Sequence, residues 1–160
     1  MRHLRLSYRG AGILFWRRGE SGAVEVLLGK RSEDLECAPG TWSCFGGKRH
    51  KHETYIACAY REAAEETAAD NESVIRSRSH FGDLKPLMVA CPWPFYVYRT
   101  FSCEVIREPE KWPVLNWEHT EAEWFMLDKL PRPVHSEAGR AVKLLYRSPG
   151  AVEYMLGTRA

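Results

Sequence analysis

The stretch "FGGKRHKHETYIACAYREAAEETAAD" (residues 45–70) decides how this chain is read. Two glycines precede a basic loop, and a run of good helix formers then carries Glu62, Glu65 and Glu66 within little more than one turn. No Gly or Pro interrupts the run from about Thr54 to Ala69, which predicts a helix. At roughly 100° per residue, Ile56, Ala59, Tyr60, Ala63 and Thr67 share a side suited to a core, while the three glutamates share another. Glu62 stands i, i+3 from Glu65 and i, i+4 from Glu66, spacings at which like charges destabilise a helix by roughly a few tenths of a kcal/mol each. A solvated acidic face is one reading. A missing positive charge is the other: Mg²⁺ or Mn²⁺ prefers oxygen ligands, often including substrate phosphate, and would reverse the sign of the repulsion. Arg61 sits beside the glutamates and can pair with one of them. Upstream, Gly46-Gly47 lets backbone approach a ligand closely. "KRHKH" brings positive charge towards the helix start, where phosphate is favoured; a solvated basic tip is the plainer reading.

Outward from this stretch, 160 residues suit one domain, residues 1–160, large enough to bury about two-thirds of its unfolded surface. The net charge of +2 is too small for bulk attraction to nucleic acid or a membrane surface, so any anion preference is local and no nucleic-acid partner is expected. The five cysteines form no C-x-x-C pair, which argues against a zinc knuckle or a disulfide framework and for a reducing cytoplasm. The basic N-terminus precedes an apolar run of only about six residues, too short for a signal-peptide core or a membrane span.

"GILFW", "RRGESG" and "VEVLLGKR" read as strand, turn, strand, and residues 31–44 as a loop turning at Pro39-Gly40. "FYVYRTFSCEVI" is a strand rich in aromatic and β-branched residues, and "EAEWFML" a further strand. Ser136 is placed to cap a last helix through about Tyr146. Strands before, between and after two helices give an α/β (α+β) layered domain with a mixed sheet.

From Gly47, five residues lead to Glu53, seven more to Arg61-Glu62, then Ala63, one residue, and Glu65-Glu66. This resembles the Nudix box, G-x5-E-x7-R-E-U-x-E-E-x-G-U, where U is a bulky aliphatic residue. "VLLGKR" with "GTWSCFGGK" before it and "EAEWFMLDKLP" after it also look like the family, so the resemblance spans roughly residues 8–146. Ala68 departs from the family glycine, and Ala63 and Ala69 are small where bulky residues are usual. Because alanine disfavours a left-handed helix end, the helix is expected to run on to Asp70-Asn71.

The resemblance implies an α/β/α sandwich and a metal-dependent hydrolase of a nucleoside diphosphate linked to another group. By the same resemblance, Glu62, Glu65 and Glu66 would hold Mg²⁺ or Mn²⁺ with the Gly46 carbonyl, and Glu65 and Arg61 count among the catalytic residues. A further acid from a later loop is expected: Glu118 first, as ligand or general base, and Glu121 second, with solvated loop glutamates as the alternative. Lys48 and Gly47 are candidate phosphate contacts, and Phe45 and Trp93 candidate substrate aromatics beside Trp42, Trp112 and Trp117. The expected partner is a small nucleotide-derived substrate: ADP-ribose or another nucleotide sugar level with (deoxy)nucleoside triphosphates, then dinucleoside polyphosphates. The alternative is a non-catalytic nucleotide-sensing module. The last ten residues, "AVEYMLGTRA", suit packing on the core or pairing across a homodimer, with a lean to the dimer.

Overall fold

A computed structural model describes residues 7–69, 86–92 and 94–147. In these residues the order is β1 (Tyr8–Arg18), β2 (Val24–Arg31), β3 (Trp42–Ser43), β4 (Phe45–Lys48), α1 (Tyr55–Thr67), β5 (Met88–Ala90), β6 (Tyr96–Glu104), β7 (His119–Met126) and α2 (Ser136–Arg147).

The strand β1 is apolar on both faces, as a strand covered on both sides must be. Ala11, Ile13 and Phe15 join one buried cluster with Cys58, Ala59 and Ala63 of α1. Leu14 joins a second with Ala141, Val142 and Leu145 of α2. The result is the expected α/β/α sandwich around a mixed sheet. One edge of β1 pairs in parallel with β6, Ile13 beside Phe101. Its other edge changes partner along its length. The Phe15–Arg18 half pairs antiparallel with β2, and the Gly10–Ile13 half with β4. The segment from Trp42 to Lys48 makes that change possible: β3 pairs with β2, and after Cys44 the chain crosses to β1 as β4. This fork places Gly46 and Gly47 on strand backbone under α1. The other edge of β2 pairs with β7, His119 lying opposite Arg31. Among the described residues, no helix is long and apolar enough to cross a membrane.

Several local expectations need correcting. The loop expected over residues 31–44 ends in a strand, β3 at Trp42–Ser43, since β2 offers it a free edge, and β4 follows on β1. The helix α1 starts behind Thr54, whose side chain accepts the Ala57 N–H at 3.2 Å. It stops at Thr67, short of Asp70-Asn71, with Ala68 in the left-handed region at φ 55, ψ 28. The loop before β7 decides this: Val114 N–H donates to the Thr67 carbonyl at 3.0 Å and Asn116 N–H to that of Glu66 at 3.4 Å. Carbonyls that a longer helix would use are taken by that loop. His135, not Ser136, caps α2: its Nδ1 accepts the Glu137 N–H at 3.3 Å and its carbonyl that of Gly139 at 2.9 Å. The expectation of a C-terminal dimer contact falls on residues outside those described.

Candidate active site

The expected single acidic face of α1 divides in two. Glu62 and Glu66, one turn apart, turn inward and are buried, while Glu65 stays exposed. Glu66 is only 1% exposed, and its Oε2 accepts the Gly46 N–H at 2.8 Å. Glu62 lies directly over Gly47, where an added Cβ would come within 2.6 Å of its carboxyl carbon. Neither Gly46 nor Gly47 has positive φ, so glycine is required here by close approach rather than by backbone conformation. On the opposite side of Gly46, a Cβ would fall 2.3 Å from the Tyr98 hydroxyl and 2.4 Å from the Gly12 Cα.

Burial pushes the Glu66 carboxyl up to about 9, and the charges of Glu118 and Glu62 add to it. Burial raises Glu62 as well, opposed by Arg61 and reinforced by Glu65 and Glu118. Glu118 therefore shares one electrostatic neighbourhood with both. Its backbone is pinned there: the N–H donates to Asn116 Oδ1 at 3.0 Å, and the carbonyl accepts the Ser32 N–H at 2.8 Å. Glu121 accepts from Lys30 Nζ at 3.1 Å on the outer surface, and Glu123 is exposed.

Arg61 is the tie between the helix and the basic loop. Its guanidinium holds Glu53 through Nε at 2.8 Å and Nη2 at 3.1 Å, and donates to the Lys48 carbonyl at 3.0 Å. Its Nη1 reaches Glu62 at 2.8 Å and Glu65 at 3.3 Å. The hydrogen bonds from Arg61 hold the Glu53 carboxyl down to about 2, helped by the His50 N–H at 3.0 Å. The role of Glu53 follows from its spacing to Arg61 in the motif, which only the folded loop closes.

Among the described residues, no three His, Cys, Asp or Glu side chains form a ready-made metal cage. Glu62 and Glu66 lean instead on Arg61 and the Gly46 N–H. The donor set still suits a hard divalent cation, because burial and mutual repulsion drive these carboxyls towards protonation and a cation relieves both. Glu62, Glu66, Glu118 and Gly46 are thus brought together, with Glu65 on the rim beside Arg61. Lys48 is exposed and available to a ligand.

The aromatic candidates need the largest correction. Phe45 is fully buried, tilted against Phe15 and His119, so it belongs to the core and offers no face to a substrate. Trp42 and Trp112 are buried as well. Trp93 lies outside the described residues. Trp117, next to Glu118, is 68% exposed and presents its ring to solvent. Beyond Gly46 lies a cavity of about 90 Å³ lined by Ser43, Tyr96, Tyr98, Thr100 and Glu137, in which the Tyr96 hydroxyl donates to Glu137 at 3.0 Å. Nothing in the sequence pattern marked that cavity, because its walls come from five separate elements, β2, β3, β4, β6 and α2.

Comparison with solved structures returns the same fold. The chain is similar to the Nudix hydrolase RenU from M. smegmatis, with a TM-score of 0.68 and 23% identity over 96% of this chain and 89% of that one. It is similar to an Ap4A hydrolase from C. elegans, solved as a binary complex, with a TM-score of 0.65 and 19% identity over 94% and 98% of the two chains. The NUDIX domain of Shewanella oneidensis NrtR, solved with ADP ribose, gives a TM-score of 0.64 and 14% identity over 88% and 87%. Comparison with curated protein sequences returns no match. The sequence matches the family profile described as NUDIX domain over residues 7–145, and this chain is therefore a member of the Nudix family.

Proposed function

We propose that the chain is a single-domain, metal-dependent pyrophosphohydrolase acting on a nucleoside diphosphate linked to another group. Buried carboxylates at Glu62 and Glu66, with Glu118 beside them and the Gly46 backbone against them, carry this reading. Members of the family generally use divalent metals. Glu62, Glu66, Glu118 and the Gly46 carbonyl would hold Mg²⁺ or Mn²⁺, with Glu65 joining from the rim. Such an ion neutralises charge on phosphate oxygens and lowers the pKa of a nearby water.

Glu118 is the proposed general base: it takes a proton from the attacking water as the new P–O bond forms, and the bridging P–O bond breaks with its electrons leaving on the departing phosphate. Arg61 acts as a positioning residue, holding Glu62 while it anchors the loop that carries Lys48. Lys48 would meet the phosphates. Trp117 replaces Phe45 as the proposed stacking surface for the base, and the group bonded to the diphosphate would meet polar partners in the cavity beyond Gly46. Substrates of the nucleotide-sugar or (deoxy)nucleoside triphosphate type rank first, with dinucleoside polyphosphates third. All five cysteines are free thiols, which supports a reducing cytoplasm as the setting.

A nucleotide-binding module without turnover is the second reading, favoured by the engagement of Glu62 and Glu66 with protein donors rather than an open cage. Incubation of the protein with ADP-ribose, nucleotide sugars, dinucleoside polyphosphates and (deoxy)nucleoside triphosphates, with Mg²⁺ and then Mn²⁺, separates the two. Products are identified by mass. Cleavage of one class, abolished by Glu66→Gln, is expected; binding with no cleavage under either metal would favour the module.

A further inference from the structure

A cluster of three arginines lies on the α1 face of the sheet, beyond the start of that helix. Arg99 stands beside Ala11 in the parallel pair, and Ala11 belongs to the cluster packed under α1. Alternation puts Arg9 on the same face as Ala11, two residues before it. Arg49 continues β4 beyond Gly47, its N–H donating to the Arg9 carbonyl at 2.7 Å. Three adjacent strands, β4, β1 and β6, thus each direct an arginine to one place. Tyr55, the first residue of α1, sits among them: the Arg99 Cζ lies 4.1 Å and the Arg49 Cζ 5.1 Å from its ring centroid.

Three cations elsewhere are held by carboxylates. Arg17 pairs with Glu25 and Glu108, Lys30 with Glu121, and Arg61 with Glu53, Glu62 and Glu65. Among the described residues, Arg9, Arg49 and Arg99 have no carboxylate in ion-pairing reach. Arg49 Nη1 donates to the Glu53 carbonyl, while the Nε atoms of both Arg49 and Arg99 are buried with no acceptor. Unneutralised like charges held beside one ring repel, and buried donors without acceptors are unfavourable, so the cluster lacks a counterion. No acidic residue occupies the first turn of α1 to supply it.

We propose that Arg9, Arg49 and Arg99 form a second anion site, separate from the glutamate cluster, that takes a phosphoryl group. Guanidinium planes stacked on an aromatic ring are pre-oriented, and their forked donors match phosphate oxygens better than an ammonium does. The helix start adds N–H groups and a positive dipole end. Eleven residues of helix separate Tyr55 from Glu66, roughly 16 Å at 1.5 Å per residue, so one ion cannot serve both places. The phosphoryl group is either the distal phosphate of a nucleotide handled at the glutamates or a free inorganic anion.

The test is a calorimetric titration of the full chain with inorganic pyrophosphate, at low salt and in EDTA. Chelation keeps metal-bound pyrophosphate from occupying the glutamates, so the outcome does not depend on whether the protein is a hydrolase. Saturable binding is expected in the wild type and in Glu62→Gln/Glu66→Gln, weakening as salt is raised. Arg49→Gln/Arg99→Gln should bind at least tenfold more weakly. Should loss of the Tyr55 stack unfold that variant, Arg9→Gln, at an exposed position, should still weaken binding about threefold. No binding by the wild type, or wild-type affinity in the folded arginine variants, overturns the proposal. With a nucleotide that the protein hydrolyses, a raised KM at unchanged kcat in the arginine variants assigns the site to a distal phosphate. An unchanged KM alongside lost pyrophosphate binding assigns it to a free anion.

Discussion

Glu66 is the residue at which burial and charge conflict most sharply. With its carboxyl pushed up to about 9, the metal-free protein holds a proton there at neutral pH that the unfolded chain does not. That contribution is fully present below the unfolded value near 4.5 and is lost as pH rises through about 9. A divalent cation must displace the proton, so Mn²⁺ binding should release protons near pH 7 and tighten with rising pH. Calorimetry in buffers of different ionisation enthalpy measures the release; Glu66→Gln should remove most of it. Glu118→Gln should lower kcat at least tenfold at nearly unchanged thermal stability, whereas Glu121→Gln, which only loses the exposed Lys30 pair, should leave kcat as it is. Trp117→Ala should raise KM several-fold with kcat little changed, and Trp117→Phe should restore most of it. The charged residues were legible in the sequence because their spacing is local. Phe45 was not: nothing local distinguishes a ring beside a site from a ring beneath it, and its burial depends on Phe15 and His119 arriving from other strands.

At the scale of elements, the end of α1 and the fork between β1 and β2 set the site. Alanine at 68 adopts a left-handed conformation because the Val114 and Asn116 N–H groups claim the last carbonyls. Ala68→Gly should therefore raise stability by about 0.5 to 1 kcal/mol in chemical denaturation, the relief of backbone strain being partly offset by a more flexible unfolded chain. Gly47→Ala should do the reverse to function: its Cβ would collide with the Glu62 carboxyl 2.6 Å away, so activity should fall at least tenfold. The first hairpin, β6, β7 and α2 were readable from their length, their β-rich or helix-favouring composition and the turn and cap residues that bound them. The strands β3, β4 and β5 were not, because runs of two to four residues carry no period and owe their pairing to edges supplied by β2, β1 and β6. The end of α1 was misread for the same reason: propensity at Ala68 is weaker than the hydrogen bonds of a distant loop.

For the whole molecule, two titratable groups, one buried and one held in an ion pair, fix how it meets acid. His119 packs on Phe45 with neither ring nitrogen hydrogen-bonded, and burial lowers its pKa to about 4. The unfolded chain takes up that proton near 6.5 and the folded chain only near 4, so stability should fall as pH drops between those values. Glu53, held down to about 2, adds stability that is present above about 4.5 and lost as pH falls towards 2. Urea unfolding across pH 7 to 2 should show both losses; His119→Phe should flatten the upper one and Glu53→Gln the lower. The layered fold itself was legible, since apolar residues on both faces of β1 require covering on both sides. The electrostatic character of the site emerged only with the packing of α1 on β4 and the approach of Glu118. Mn²⁺ binding to the metal-free protein, followed by electron paramagnetic resonance, tests that character most directly. If Glu62, Glu66 and Glu118 form a cation site, Mn²⁺ binds the wild type saturably and at least tenfold more weakly after Glu66→Gln. Equal binding by the two proteins would contradict it.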